Sequence, residues 1–145
     1  MQKIYLLDTN IISELTKKVQ NHKVVKKIFE TQKLSALSSV TWAETLYGIK
    51  RLAEGKRKDT LSDFYINTIQ SMYEFYDFDI HAASVYSDIK SRLEEVGKIP
   101  AELDLQIASV AIANNLILVT RNVQDFVHIQ ECSALMLENW FEEKN

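Results

Sequence analysis

The 145-residue chain contains few of the residues that cross-link a fold or interrupt its helices: one cysteine, one proline and three glycines. A single cysteine, Cys132, cannot form an internal disulfide, and this usage is typical of a reducing compartment. So little glycine and proline excludes a Gly/Pro-rich repeat and favours long helices. No apolar stretch approaches the roughly 18 residues of a membrane span, and no basic region precedes a long apolar run at the N-terminus. The sequence therefore predicts a cytoplasmic protein that is not attached to a membrane.

The chain also lacks a marked excess of either charge, because 17 Lys and Arg stand against 20 Asp and Glu. The net charge of −3 argues against a generic nucleic-acid binder, which usually carries a basic patch or a high isoelectric point. Hydrophobic residues make up 46% of the chain, which excludes a disordered protein. The length is that of one domain, which we predict to span residues 1–145.

Short apolar runs alternate along the chain with longer stretches of helical spacing. The runs predict strands at residues 4–7, 34–37, 76–79, 116–119 and 135–137. The stretches between them predict helices, among which are those at residues 40–47, 61–69 and 80–96 and one that Asp104 opens. Ser38 and Ser39 are candidate N-caps for the first of these helices. This alternation is typical of an α/β fold with a short parallel central sheet.

Two polar segments directly follow predicted strands. Asp8 comes after the apolar run at residues 4–7, and residues 120–122 follow the run at residues 116–119. In open parallel sheets, ligands bind beyond the carboxyl ends of the strands. We therefore expect Asp8 and residues 120–122 to lie at the same edge of the sheet and near a functional site.

Three acids occupy positions that favour burial. Asp8 ends an apolar strand, Glu44 lies beside the apolar face of its helix, and Asp104 opens a helix that is apolar on nearly every side. Buried carboxylates are usually paired or coordinate a metal, and few bases lie near these acids in the sequence. Carboxylates without His or Cys suit Mg²⁺ or Mn²⁺ rather than Zn²⁺. Such a metal can activate water for attack on a phosphodiester.

Each acid also has a structural interpretation. Asp8 and Asp104 could be helix N-caps, where aspartate is common. Glu44 could be an ordinary exposed helical residue, and Asp125 could be a turn residue. Spacing alone does not bring these four acids together, so both interpretations stay open from the residues themselves.

Four segments in this order resemble the PIN-domain ribonucleases of the VapC toxin type. They are LLDTNIISE at residues 6–14, SSVTWAE at 38–44, DLQIASVA at 104–111 and LVTRNVQDF at 118–126. Together they extend over essentially the whole chain. The resemblance implies a three-layer PIN fold and an endoribonuclease toxin that depends on Mg²⁺, or on Mn²⁺, and cuts RNA such as tRNA with metal-activated water.

The resemblance maps Asp8, Glu44 and Asp104 onto the metal-binding acids of the family. Asp8 and Asp104 would hold the metal most directly, and Glu44 would complete the site or orient the water. The hydrogen bonds that shape the site would come from Thr9, Asn10 and Thr120.

The fourth acidic position departs from the family pattern. Many PIN domains have an acid two residues after the threonine, where this chain has Asn122. Asn122 can hydrogen-bond water or phosphate but adds no charge. Asp125, three residues later, is the candidate for the missing charge. This departure leaves the number of metals open.

The resemblance also implies partners. A cognate VapB-type antitoxin would block the site, the toxin would form a homodimer, and operator DNA would be bound only through the antitoxin.

The bases are concentrated in one part of the chain. Residues 17–58 contain eleven Lys and Arg and three Glu, whereas the remainder of the chain carries a net charge of −11. A basic segment beside an acidic site would supply phosphate contacts for RNA. The candidate RNA contacts are Lys50, Arg51, Lys56 and Arg57. The alternative interpretation is a pair of solvated lysine-rich helix faces.

Two other functions compete with the nuclease. An aspartyl-nucleophile phosphatase would also place Asp8 after the first strand, but such enzymes usually have a second acid two residues later, where this chain has Asn10. The other alternative is a non-catalytic PIN-like partner of a DNA-binding antitoxin that acts in transcriptional regulation. The uncharged Asn122 keeps this second alternative open.

Overall fold

The structure is a computed structural model that describes residues 2–142. Within that range it contains the strands β1 (Tyr5–Leu7), β2 (Ser35–Ser38), β3 (Glu74–Tyr76), β4 (Ile117–Val119) and β5 (Met136–Glu138). They form one sheet in the order β3-β2-β1-β4-β5, and all neighbouring strands are parallel. The α/β fold with a short parallel sheet is confirmed. The predicted domain of residues 1–145 extends beyond the described residues at both ends.

Helices connect the strands. They are α1 (Thr9–Ile12), α2 (His22–Glu30), α3 (Ser39–Lys50), α4 (Lys56–Asp63), α5 (Gln70–Met72), α6 (Ile80–Glu95), α7 (Glu102–Ala113) and α8 (Val127–Glu131). A π-helical stretch at Phe64–Ile69 joins α4 to α5, and 3₁₀ turns lie at Ser13–Thr16, Gln32–Leu34 and Val123–Phe126. None of the helices within residues 2–142 has the length and apolar character needed to cross a bilayer.

Helices cover both faces of the sheet. Leu6, Ala36 and Leu118 are buried in one cluster with residues of α6, α7 and α8. Their neighbours in the strands, Leu7 and Leu37, are buried in a second cluster with residues of α1, α2 and the π-helical stretch. Successive side chains of a strand point to opposite faces, so the two clusters lie on opposite faces of the sheet. The expected three layers are confirmed, and burial on both faces explains why β1 and β4 read as unbroken apolar runs.

Local capping sets several of the boundaries. The Ser38 hydroxyl accepts a hydrogen bond from the Thr41 backbone N–H at 2.9 Å, so Ser38 caps α3 as expected and Ser39 is its first residue. The third strand ends at Tyr76. Asp79, which the sequence predicts within that strand, instead caps α6 by accepting from the Ala82 N–H at 3.0 Å. The strand predicted at residues 76–79 was therefore placed too late.

The N-cap interpretation is correct for Asp8 and wrong for Asp104. The Asp8 carboxylate accepts a hydrogen bond from the Thr9 N–H and caps α1. Helix α7 begins at Glu102, with Ala101 in the cap position, so Asp104 is the third helical residue. Its carboxylate therefore does not cap the start of the helix, although it lies in the first turn, where an acid is favourable.

A buried acid that the sequence did not single out ties α1 to α2. Glu14 is only 2% exposed. Its Oε1 lies 2.8 Å from the Lys17 ammonium, and its Oε2 accepts from the Asn21 backbone N–H at 2.7 Å. Burial opposes ionisation, but these hydrogen bonds and the Lys17 charge outweigh it and hold the pKa of Glu14 below its ordinary value. The fold therefore favours the charged form of Glu14.

The Glu14→Gln variant should be less stable than the wild type by about 1–3 kcal/mol near pH 7, because it removes a buried hydrogen-bonded carboxylate. A depressed pKa gives stability that is present above the unfolded value and is lost on acidification. The difference in the free energy of urea unfolding should therefore shrink below about pH 4.5. The control is Glu30→Gln on α2, an exposed partner of Lys26, which should change stability by less than about 0.5 kcal/mol. Equal losses in both variants would contradict this role of Glu14.

Candidate active site

Asp8 lies where the chain leaves β1, and hydrogen bonds fix its carboxylate. It is 8% exposed. Its Oδ1 accepts from the Thr9 backbone N–H at 2.8 Å, and its Oδ2 accepts from the Thr120 hydroxyl at 2.9 Å. The Asp8 backbone N–H donates to the Val119 carbonyl at 2.9 Å. The ends of β1 and β4 are thereby joined, as the rule for parallel sheets led us to expect.

Thr120 is the centre of this hydrogen-bond network. Its hydroxyl has one proton, which it donates to Asp8, and two lone pairs. The Asn122 backbone N–H and the Asn10 side-chain amide donate to the hydroxyl oxygen at 3.1 and 3.3 Å. The Asn10 carbonyl oxygen accepts from the Arg121 N–H at 3.0 Å. Every hydrogen-bonding position of the fully buried Thr120 hydroxyl is therefore occupied, and Asp8 is held in one orientation.

Thr9, Asn10 and Thr120 all lie beside Asp8, and Thr9 contacts it through its backbone. Its N–H binds Asp8, whereas its buried hydroxyl has no hydrogen-bond partner among residues 2–142. The Asn10 amide lies 3.5 Å from Asp8 Oδ2, a weak contact beside its bond to Thr120. The catalytic importance of these three residues stays a prediction.

Three further acids act on Asp8 or on one another through their charges. Glu44 on α3 and Asp104 on α7 are half-buried, and Asp125 is exposed in the 3₁₀ turn after β4. We refer to Asp8, Glu44, Asp104 and Asp125 as the acid cluster.

The carboxylates of the acid cluster repel one another. Burial, followed by the charges of Asp125 and Asp8, raises the pKa of Asp104 to about 6. Burial and then the charges of Asp8 and Asp104 raise the pKa of Glu44. Burial also raises the pKa of Asp8; hydrogen bonds from Thr120 and Thr9 oppose this shift, and the charge of Asp125 adds to it. The carboxylates therefore lie near enough to disfavour one another's charge.

No base neutralises the acid cluster within the described part of the chain. The ion pairs found there involve other acids, among them Glu14, Glu30, Glu54 and Glu102. Oxygen donors without His or Cys suit a hard divalent cation, so the donor chemistry fits Mg²⁺ or Mn²⁺. No three acidic, histidine or cysteine side chains of residues 2–142 are close enough to enclose a metal by themselves. Mg²⁺ usually takes one or two carboxylates and retains several waters.

Asp125, rather than Asn122, contributes to the charge of the cluster. The charge of Asp125 acts on both Asp8 and Asp104. Asn122 enters the network through its backbone N–H, which donates to Thr120. The one-turn 3₁₀ helix after Asn122 returns the chain towards the strand ends and brings Asp125 near the cluster.

The predicted RNA contacts lie at the end of α3 and the start of α4. Lys50, Arg51, Lys56 and Arg57 are all exposed. The Arg51 guanidinium lies 5.6 Å from the ring centroid of Tyr47, which is 62% exposed and lines a shallow cleft with Glu44. Arg51 therefore lies along the same face of α3 as an acid of the cluster. RNA binding by these four residues stays a prediction.

Two bases that the sequence did not assign to the site line a cleft with part of the acid cluster. Lys98 and His128 share this cleft with Asp104 and Asp125. They belong to different loops and helices, and no spacing in the sequence connects them. Only the packing of α6, α7 and α8 brings them to one place.

Comparison with known proteins identifies relatives along most of the chain. Residues 5–131 match the family described as PIN domain. The chain is 32% identical over 138 residues to Ribonuclease VapC2 of Rickettsia felis, covering 94% of this chain and 98% of that protein.

Solved structures show the same fold. The crystal structure of FitAcB from Neisseria gonorrhoeae superposes with a TM-score of 0.87 at 29% identity and covers 97% of this chain and 100% of that chain. The structure of VapBC2 from Rickettsia felis bound to a DNA fragment from its promoter superposes with a TM-score of 0.77 at 31% identity, covering 94% and 98%.

The Asp104→Asn variant should be more stable than the wild type at about pH 7.5 in EDTA. A raised pKa means that the folded protein binds the proton more tightly than the unfolded chain, so stability falls as pH rises between about pH 4 and pH 6. Removing the charge should recover on the order of 1 kcal/mol, since a half-buried site is partly screened, or a few degrees in the midpoint of thermal unfolding.

The gain should disappear near pH 4. The control is Asp88→Asn, an exposed acid of α6, for which we expect little change at either pH. An Asp104→Asn variant with no gain at about pH 7.5, or with the same gain at both pH values, would contradict the repulsion in the acid cluster.

Proposed function

The chain belongs to the PIN domain family, and from this premise we propose that it is a Mg²⁺-dependent endoribonuclease, the toxin of a VapBC-type toxin–antitoxin module. The observation that carries the proposal is the acid cluster. Its carboxylates lie near enough to raise one another's pKa, and no base among the described residues neutralises them. A structural protein would gain nothing from this repulsion, whereas a bound divalent cation would relieve it and could then attract the phosphate of a substrate.

Asp8 and Asp104 would hold the divalent ion most directly, with Glu44 beside them. When bound, the ion lowers the pKa of its water and offsets charge that develops on the phosphate. Mn²⁺ has the same preference for oxygen ligands and could replace Mg²⁺.

The residues of the chain prepare the site for this chemistry. The Thr9 N–H and the Thr120 hydroxyl keep the Asp8 carboxylate in one orientation before substrate arrives, which limits the reorganisation that binding requires. Glu44 is half-buried and can accept a hydrogen bond from the attacking water at its carboxylate. Asp125 adds a fourth charge from the exposed side. No residue of the cluster has to form a covalent bond to the substrate.

RNA is the proposed substrate, with structured RNA such as tRNA as the first class to test. The name of the Rickettsia felis relative, a ribonuclease, supports this assignment. A cognate VapB-type antitoxin is the proposed inhibitor, a homodimer is the proposed assembly, and operator DNA would be bound through the antitoxin. The solved relative VapBC2, a complex bound to promoter DNA, supports the antitoxin and the route to DNA.

Purified protein should cut tRNA or a long single-stranded RNA in Mg²⁺ and should be inactive in EDTA. Asp8→Asn keeps a side chain of the same shape but removes the charge, and we expect it to lower the rate of cleavage about 100-fold or more. Asp88→Asn is the matched control, since Asp88 is exposed on α6, and it should cut at the wild-type rate. Gel electrophoresis of end-labelled RNA measures the rates.

Equal cleavage by the wild type and Asp8→Asn would mean that the activity comes from a contaminant or from another site. Absence of cleavage by the wild type, with the antitoxin still binding tightly, would favour the non-catalytic partner.

A further inference from the structure

A cleft of about 530 Å³ opens beside the acid cluster. One side consists of the loop at residues 97–101 between α6 and α7, and the other includes His128 on α8. Asp104 and Asp125 also line the cleft, so it is continuous with the proposed active site. We refer to it as the Lys98 cleft.

The end of α6 fixes the position of Lys98. The Lys98 N–H donates to the Leu93 carbonyl at 2.9 Å, and the Gly97 N–H donates to the Glu94 carbonyl at 3.1 Å. This is the hydrogen-bond pattern of a Schellman cap, which needs a left-handed residue in the position of Gly97. Gly97 has φ of +68° and meets that need. The backbone of Lys98 is therefore held in place although its side chain is exposed.

The ammonium group of Lys98 has no partner in the described part of the chain. Neither a hydrogen bond nor an ion pair to another residue of 2–142 involves its Nζ, although two carboxylates line the same cleft. The ammonium group and those carboxylates are thus not paired. An anionic group such as a phosphodiester can therefore bind on the side of the cleft that Lys98 lines, away from Asp104 and Asp125.

His128 can add a second nitrogen donor, its Nε2–H, to the side of the cleft that Lys98 lines. It is half-buried, and its Nδ1 lies 3.5 Å from the Glu131 carboxylate, which leaves Nε2 without a hydrogen bond among residues 2–142. Lys98 and His128 also line an adjoining cleft that includes Arg92, whose guanidinium donates to the Cys132 carbonyl at 2.8 Å. Lys98 and His128 therefore lie where the Lys98 cleft continues into the adjoining cleft.

We propose that the Lys98 cleft is a phosphate subsite, in which Lys98 and His128 bind the phosphodiester next to the one at the acid cluster. The proposal rests on the ribonuclease function proposed above and adds to it the path of the RNA strand. Lysine binds phosphate as a point charge without a demand for one geometry. The subsite lies outside the basic segment at residues 17–58, to which the sequence alone assigned RNA binding.

The experiment measures binding and cleavage of one fluorescein-labelled single-stranded RNA by the full chain. Fluorescence anisotropy in EDTA, over a series of salt concentrations, gives the Kd without cleavage. The Lys98→Met/His128→Gln double variant should raise Kd about tenfold. It should also reduce the magnitude of the slope of the logarithm of the association constant against the logarithm of the salt concentration by about 1. In Mg²⁺ it should raise KM with little change in kcat, because it removes binding and not the acid cluster.

Lys3→Met is the matched control. Lys3 precedes β1, at the opposite end of the strands from the site, and its Nζ donates to the Lys33 carbonyl at 2.8 Å. It should leave Kd, the salt slope and KM unchanged. If the double variant unfolds, Lys98→Gln alone, which changes an exposed side chain, should still raise Kd.

The outcomes separate this subsite from the proposed function. If the wild type cuts RNA and the double variant binds and cuts it with wild-type constants, the subsite is wrong and the nuclease stands. If the double variant weakens binding of the antitoxin and not of RNA, the Lys98 cleft is a protein surface and the proposal is overturned. If the wild type does not cut RNA at all, the proposed function fails whatever the variants show.

Discussion

The hydrogen bond from the Thr120 hydroxyl to Asp8 joins the ends of the two central strands, and the rest of the site is arranged around it. Pairing of Leu7 with Val119 places Asp8 and Thr120 side by side, each one residue beyond its strand. The single hydroxyl proton goes to Asp8, so the two lone pairs of Thr120 accept amide donors from both chain segments. Asp8 is thereby held in one orientation, and its charge acts on Glu44 of α3 and Asp104 of α7. The apolar core on both faces of the sheet stabilises the fold despite the repulsion among the carboxylates of the acid cluster. Unfavourable local interactions of this kind are expected at functional sites.

Much of the fold could be predicted because the central strands are buried on both faces. Such strands do not alternate apolar and polar residues, and the unbroken apolar runs of β1 and β4 show this. The third strand was placed too late because β3 lies at the edge of the sheet, where Glu74 is exposed and the apolar signal is weak. Asp79 resembled the end of a strand but caps the following helix. No feature of the sequence marked the π-helical stretch at Phe64–Ile69.

The site could be predicted only in part. The sheet rule brought Asp8 and residues 120–122 together, and unusual acids on apolar helices pointed to Glu44 and Asp104. Placing these acids in one cluster needed the packing of α3 and α7 against the strand ends. The 3₁₀ turn that brings Asp125 near Asp104 is not encoded by any spacing pattern. Lys98 and His128 could not be associated from the sequence because they lie on separate elements and meet only across a cleft.

Binding of a divalent cation by the acid cluster can be measured without any substrate, by calorimetric titration of Mg²⁺ or Mn²⁺. At about pH 6, a carboxylate with a pKa near that value is partly protonated, so binding of the cation should release protons. Titration in buffers of different ionisation enthalpy measures that release. We expect saturable binding with proton release by the wild type, and loss of both in Asp8→Asn. Equal binding by Asp8→Asn, or no saturable binding by the wild type, would mean that the acid cluster is not a cation site.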